Sequence, residues 1–246
     1  DEEMNEISDI VVEDKFKNGR YGLKHTFYDI DLNKKYLIYP KVKLFNIDIL
    51  ASPKATFSFL CPDSNHPHAI DLGMPSGKKW ACCNVDADAP EEYGGYYAWG
   101  DVETKSTYTL GTYTQKYVEN ISGTQFDVAT KKWGDNWQIP TKEDMEWLTK
   151  NCSWVDKTWH GVKGTLIIAP NGNSIFLPYS DLVASDRSYG MGGCCYWTGT
   201  QDLLYAKEED KPYSLFMPIA TEVKTVWSVY YLAHYGMLIR PIWSTK

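Results

Sequence analysis

The stretch Trp133-Gly-Asp-Asn-Trp-Gln-Ile-Pro-Thr-Lys-Glu-Asp-Met-Glu-Trp-Leu-Thr-Lys-Asn-Cys152 decides the fold, because it holds the one helix that local signals define at its start. Pro140 keeps the preceding residue extended, and the Thr141 hydroxyl can cap the first turn. Asp144, three positions on, completes a Thr-x-x-Asp approximation of a capping box. Glu143, Asp144 and Glu146 sit near the positive end of the helix dipole. Met145, Leu148 and Cys152 fall at i, i+3 and i+7, an apolar stripe that needs a sheet or loop to bury it. Everything after this helix reads as strands and turns, so the expectation is an α+β domain with mostly antiparallel strands and few helices.

Outward from the helix, Gly164-Thr-Leu-Ile-Ile-Ala169 and Ser174-Ile-Phe-Leu177 flank Asn171-Gly172, a strong short-range hairpin signal. Further strands are expected at Cys195–Thr198, Tyr213–Met217, Val226–Leu232 and Gly236–Trp243, after a glycine-rich loop at Tyr189-Gly-Met-Gly-Gly193. Toward the N-terminus, Leu23, His25 and Phe27 alternate on one parity and Tyr36, Ile38, Val42 and Leu44 on another, with turn formers between. Residues 61–68, Cys-Pro-Asp-Ser-Asn-His-Pro-His, have two prolines and no periodicity and mark a boundary. The expected organisation is a small β module at 1–66 and an α+β domain at 67–246.

The chain has 246 residues, of which 43% are hydrophobic, enough for a core of one large or two small domains. The formal net charge of −7 and a basic cluster limited to Lys34, Lys35, Lys41 and Lys43 exclude a nucleic-acid footprint. No stretch reaches the ~20 apolar residues of a membrane helix. The numbering opens on Asp1, Glu2 and Glu3 rather than Met, so a removed signal or lipoprotein leader, or trimming for expression, is expected. Any membrane attachment is then through a lipid anchor outside this sequence.

Six cysteines are present: Cys61, Cys82, Cys83, Cys152, Cys194 and Cys195. None forms a Cys-x-x-Cys pair, which argues against zinc, and in a strand only one of each adjacent doublet faces the core. A bridge drawn from Cys82, Cys83, Cys152 and Cys194 and a set of buried free thiols both stay open, the thiols first. His66-x-His68 spaces two imidazoles for a metal, but no third ligand is evident, and a linker histidine pair is the expectation. Asn84-x-Asp86-x-Asp88-x-x-Glu91-Glu92 spaces oxygens as a calcium loop does. A hand-type loop wants Gly where Ala89 stands and Glu where Gly95 stands, so no metal and no cofactor is expected.

Three blocks resemble a known family. They are Ala69-Ile-Asp-Leu-Gly-Met-Pro-Ser-Gly-Lys-Lys-Trp-Ala81, Pro90-Glu-Glu-Tyr-Gly-Gly-Tyr-Tyr-Ala-Trp-Gly-Asp101 and Phe126-Asp-Val-Ala-Thr-Lys-Lys-Trp-Gly-Asp-Asn-Trp-Gln-Ile-Pro-Thr141. With Pro170–Pro178, Cys195-Tyr-Trp-Thr-Gly-Thr200 and Tyr235-Gly-Met-Leu-Ile-Arg-Pro-Ile242, they resemble the Fibrobacter succinogenes major paralogous domain in the order that family has, over roughly residues 67–243. The pattern is more distantly similar to the C-type-lectin-like fold of formylglycine-generating enzymes. Leu32-Asn-Lys-Lys-Tyr36 with the strands up to Ala55-Thr-Phe-Ser-Phe59 resembles the late strands of a fibronectin type III or immunoglobulin-like sandwich, so the N-terminal module is expected to be β-sandwich-like and abbreviated.

These resemblances imply an exported, often lipid-anchored cell-surface protein of Bacteroidetes or Fibrobacteres. The reactive cysteine pair of formylglycine-generating enzymes does not carry over, because Cys194 and Cys195 are adjacent and precede the last strands. His160 and His234 stand alone, and no nucleophile and base pair is found, so no catalysis is expected. In lectin-like folds the loops around the last strands form the binding face, and there Trp197, Tyr205, Trp227, Tyr230, Tyr231 and Tyr235 are the candidate ligand-binding residues, some of them necessarily core. Flat rings stack on sugar faces and anchor protein interfaces, so a glycan is the first expected partner and a surface protein the second. Arg240, in the terminal Arg-Pro, is expected to be buried in an ion pair.

Overall fold

The computed structural model describes residues 66–115, 118–201, 212–216 and 233–245, and as backbone strands 35–38, 41–44, 47–50 and 55–58, all within the compact unit 32–246. Four short strands come first: β1 (Lys35–Ile38), β2 (Lys41–Leu44), β3 (Ile47–Leu50) and β4 (Ala55–Ser58). β1 pairs with β4 and β2 with β3, both antiparallel, so one pair nests inside the other in sequence. The alternation at 21–33 and the Val226–Leu232 strand lie outside the described residues.

Then follow β5 (Ala69–Ile70), β6 (Lys79–Ala81), α1 (Val128–Trp133), β7 (Trp137–Gln138) and α2 (Lys142–Asn151). The remainder is strands: β8 (Ser153–Trp159), β9 (Val162–Ile168), β10 (Ser174–Pro178), β11 (Ser180–Ala184), β12 (Arg187–Gly193), β13 (Cys195–Gln201), β14 (Pro212–Phe216) and β15 (Ile242–Trp243). Every strand pair among the described residues is antiparallel. The architecture is therefore mostly antiparallel sheet with few helices.

α2 starts as its sequence dictates. The Thr141 hydroxyl accepts from Asp144 N–H at 3.3 Å, and the Asp144 carboxylate accepts from Thr141 N–H at 3.0 Å, so two otherwise orphaned donors are met reciprocally. Lys78 Nζ, 2.9 Å from Asp144 Oδ2, ties the cap to the loop before β6, a contact sequence spacing cannot show. The helix ends at Asn151, and Cys152 caps it while still packing on the core below Met145 and Leu148. The Asn171-Gly172 hairpin also forms as read, joining β9 to β10 with Ile168 opposite Ser174.

Several elements escaped the sequence reading, β5, β6, β7, β11 and three more. α1 is six residues long, too short for a periodic stripe, but Asp127 caps its start and Gly134 its end. Buried Asp127 accepts four backbone N–H groups, from Gly123, Ala129, Thr130 and Ile139. Burial raises its carboxyl above the ordinary range while those donors hold it down. β8 is the second, and the third is β12, which forms where a glycine-rich loop was expected. Its glycines sit in a hairpin with β11 whose register shifts between Ser180 and Leu182, a bulge that small residues tolerate.

The chain's end returns to the beginning of the domain. β15 lies between β6 and β7, with Ile242 opposite both Trp80 and Gln138. Residues 237–239 run beside β13, where Trp197 N–H donates to Leu238 O at 3.0 Å, and beside the loop at Tyr97, where Met237 N–H donates to Tyr97 O at 3.0 Å. This central layer separates two packed cores. Cys194, Tyr196, Leu238 and Trp80 face one, shared with α2 and the β8–β10 sheet. Cys195, Trp197, Met237, Ile239 and Ala81 face the other, shared with Trp99, Ile121, α1 and Ile139.

The cysteine doublets are corrected by this layer. Both members of each are buried, and Cys82, Cys83, Cys152, Cys194 and Cys195 are all free thiols. Cys194 and Cys195 do alternate, but each face of their strand meets a core. Cys82 and Cys83 lie in a bend just after β6, where strand alternation no longer applies.

Candidate functional site

Trp197 is not on a binding face. It is 0% exposed, and its indole N–H donates to Tyr97 O at 2.8 Å, so no ligand ring can reach it. The physical reason is the double covering of β13: a strand that alternates between two faces is exposed on neither when both are packed. Tyr235 is half-buried against the same core, with its ring edge-to-face on His234 at 4.8 Å between centroids. Tyr205, Trp227, Tyr230 and Tyr231 lie outside the described residues.

Among the described residues two aromatic side chains are exposed, Tyr93 at 43% and Tyr189 at 48%. Between them in the chain, Tyr96 is half-buried, and its hydroxyl is pushed up to about 12 by burial first and then by the charges of Asp181 and Tyr93. Asp181, half-buried on β11, lies over the backbone of the glycine that follows Tyr189: a Cβ built on Gly190 would stand 3.5 Å from its Oδ1. Asp181 and Tyr93 thus both act on Tyr96, while Tyr189 stands opposite Leu182 in the β11–β12 hairpin. Sequence reasoning passed over Tyr93 and Tyr189 because both sit beside glycines and have no periodic partners. That was the available signal, since a large ring in a glycine-rich stretch has few neighbours to bury it.

The oxygens spaced like a calcium loop diverge. Asp86, at φ 62°, turns to Lys132, whose Nζ is 2.7 Å from Oδ1, and accepts from the Tyr97 hydroxyl. Glu91 Oε1 is 2.6 Å from Nδ1 of exposed His160, and Glu92 Oε2 accepts from Asp88 N–H at 2.8 Å. Asn84 points inward, donating to Glu92 O and Tyr93 O.

Arg240 is fully buried as expected, but its partners differ from those expected. Nε donates to Asn84 Oδ1 at 2.8 Å, Nη1 to Ala81 O and Cys82 O, and Nη2 to Pro90 O at 3.3 Å and Phe176 O at 2.9 Å. Among the described residues no carboxylate pairs with it. Five neutral oxygens match the five N–H donors of a guanidinium, and their dipoles replace a counter-ion. The arginine fastens the 81–84 bend, the Pro90 loop and β10 together, a structural role. Burial drives the Cys194 thiol well above its ordinary range and Cys195 up to about 12, and the Cys82 hydrogen bond and burial raise Cys83.

Fold and surface together define a mostly antiparallel α+β domain that exposes Tyr93 and Tyr189 among its described residues. Compared with protein-family models, curated proteins and solved structures, the chain matches none.

Proposed function

We propose that this chain is a non-catalytic, cell-surface binding module of C-type-lectin-like fold, related to the Fibrobacter succinogenes major paralogous domain, that takes a glycan as its ligand. In this reading a short β-sandwich-like module precedes the binding domain, and a lipid anchor beyond this sequence holds the exported protein at the outer membrane. The observation that carries it is the exposed Tyr93 ring, whose charge acts on Tyr96 together with that of Asp181, with Tyr189 on β12 as a second exposed ring. A sugar presents an apolar ring face and a rim of hydroxyls; tyrosine rings stack on the first, and a carboxylate accepts from the second. The proposed face then includes the 91–96 loop and β12 in addition to the candidates Tyr205, Trp227, Tyr230 and Tyr231.

A glycan array with the purified chain tests the proposal. Saturable binding to a defined sugar, weakened about tenfold or more in the Tyr93→Ala/Tyr189→Ala double variant with an unchanged melting temperature, is the expected result. A parallel Trp227→Ala variant reports whether Trp227 shares the site. A blank array, with a protein partner recovered instead from an outer-surface fraction, would replace the glycan by a protein ligand and make the chain an adhesin or structural protein.

A further inference from the structure

The register of the first two strands of the domain brings three metal-type ligands together, His66, Cys82 and Cys83, with His68 beside Cys82, across 14 to 17 residues of sequence. β5 and β6 pair with Ala69 opposite Ala81 and Ile70 opposite Trp80. Continued by one residue, that register sets His68 opposite Cys82, and Cys82 N–H does donate to His68 O at 3.0 Å. Cys83 follows in the bend, and His66 stands two residues before His68. The imidazole of His66 and the thiols of Cys82 and Cys83 converge, with one ligand atom from each within 4.8 Å of the others.

The distances fit tetrahedral coordination. Zinc bound at about 2.3 Å to sulfur and about 2.05 Å to nitrogen sets a sulfur-to-nitrogen edge of about 3.6 Å. His66 Nδ1 is 3.3 Å from Cys82 Sγ, and His68 Nδ1 is 3.7 Å from the same sulfur. The two imidazoles stand nearly perpendicular, at 84° with centroids 5.5 Å apart. The surroundings are those of a structural site. His68 N–H donates to Cys82 Sγ at 3.0 Å, the type of outer contact that supports a metal-bound thiolate. Cys82 and Cys83 pack with Ala87, Ile70 and Trp133 in a small apolar cluster that covers the protein side.

We propose that His66, Cys82 and Cys83, with His68 in the fourth position, bind one zinc ion that pins the entry of the chain into the domain to the bend after β6. Two thiolates and two imidazoles suit zinc by softness and by geometry, and four protein ligands make a closed site with no place for substrate. Arg240 grips the same bend through the carbonyls of Ala81 and Cys82, so the ion and the guanidinium fix one turn through different atoms.

The test uses the full chain, reduced and stripped with a chelator, then titrated with zinc chloride alone. One zinc per chain after gel filtration, protection of Cys82 and Cys83 but not Cys152 from an alkylating reagent, and thiolate-to-metal absorption with cobalt are expected. Because the cysteines are buried and their replacement can unfold the domain, the half-exposed histidines supply the variant: His66→Ala/His68→Ala should keep its circular dichroism and lose about tenfold or more in zinc affinity. Failure of the folded, reduced chain to retain zinc overturns the site. Equal affinity in the histidine variant, or unchanged alkylation of Cys82 and Cys83 with zinc present, does so as well.

Discussion

β13 and β8 are both seven-residue strands rich in aromatic and β-branched residues, and their environments are opposite. Along β13 every residue but Thr200 is buried, because a core lies on each face. β8 is the edge of its sheet: Trp154 reaches the first core and Trp159 folds against Phe176, while Ser153, Val155, Asp156 and Thr158 are exposed. Alternation in a sequence says that neighbouring side chains point apart. It does not say what stands on either side, and that depends on where the end of the chain returns.

Substitutions in the two strands sharpen the contrast. Trp197→Ala removes a ring packed between Tyr97, Trp99 and Met237 and should cost about 3–5 kcal/mol, a fall in melting temperature on the order of 10 °C by calorimetry. Gly199→Ala comes next. A Cβ there would meet Ser122 Oγ at 2.1 Å and Ile139 Cγ2 at 2.9 Å, an overpacking expected to cost about 1–3 kcal/mol in urea melts. Val155→Thr, on the open face of β8, should shift the same melts by less than about 0.5 kcal/mol. A Trp197→Ala protein as stable as the parent would mean that β13 is not walled on both sides.

What was legible in the sequence was local. The α2 cap at Thr141 and Asp144 and the Asn171-Gly172 hairpin are written in residues three or four apart, and both form. α1 has capping residues at Asp127 and Gly134 but too few turns for a stripe, and β12 hides in glycines that only its hairpin with β11 rescues. The site was less legible for a related reason. Trp197 belongs to the aromatic-rich C-terminal half, but the 237–239 segment and Trp99 enclose it. Tyr93 and Tyr189 show no periodicity, and the charge of Asp181 on Tyr96 comes from a strand far along the chain. His66 and Cys82 meet only because Ala69 pairs with Ala81, and a register is not visible in spacing. Arg240 was correctly expected inside, but its acceptors are the Asn84 amide oxygen and four backbone carbonyls scattered from Ala81 to Phe176, which no charge pattern reveals.

Amide hydrogen exchange tests the two-core layer most directly. Trp197 N–H, bonded to Leu238 O at 3.0 Å, and Met237 N–H, bonded to Tyr97 O at 3.0 Å, should exchange together in the slowest class, through global unfolding alone. The amides of β8, at the sheet edge, should exchange through smaller openings and therefore faster. If Trp197 and Met237 exchange as fast as β8, the layer does not separate two cores, and Trp197 returns to the surface as a candidate for binding.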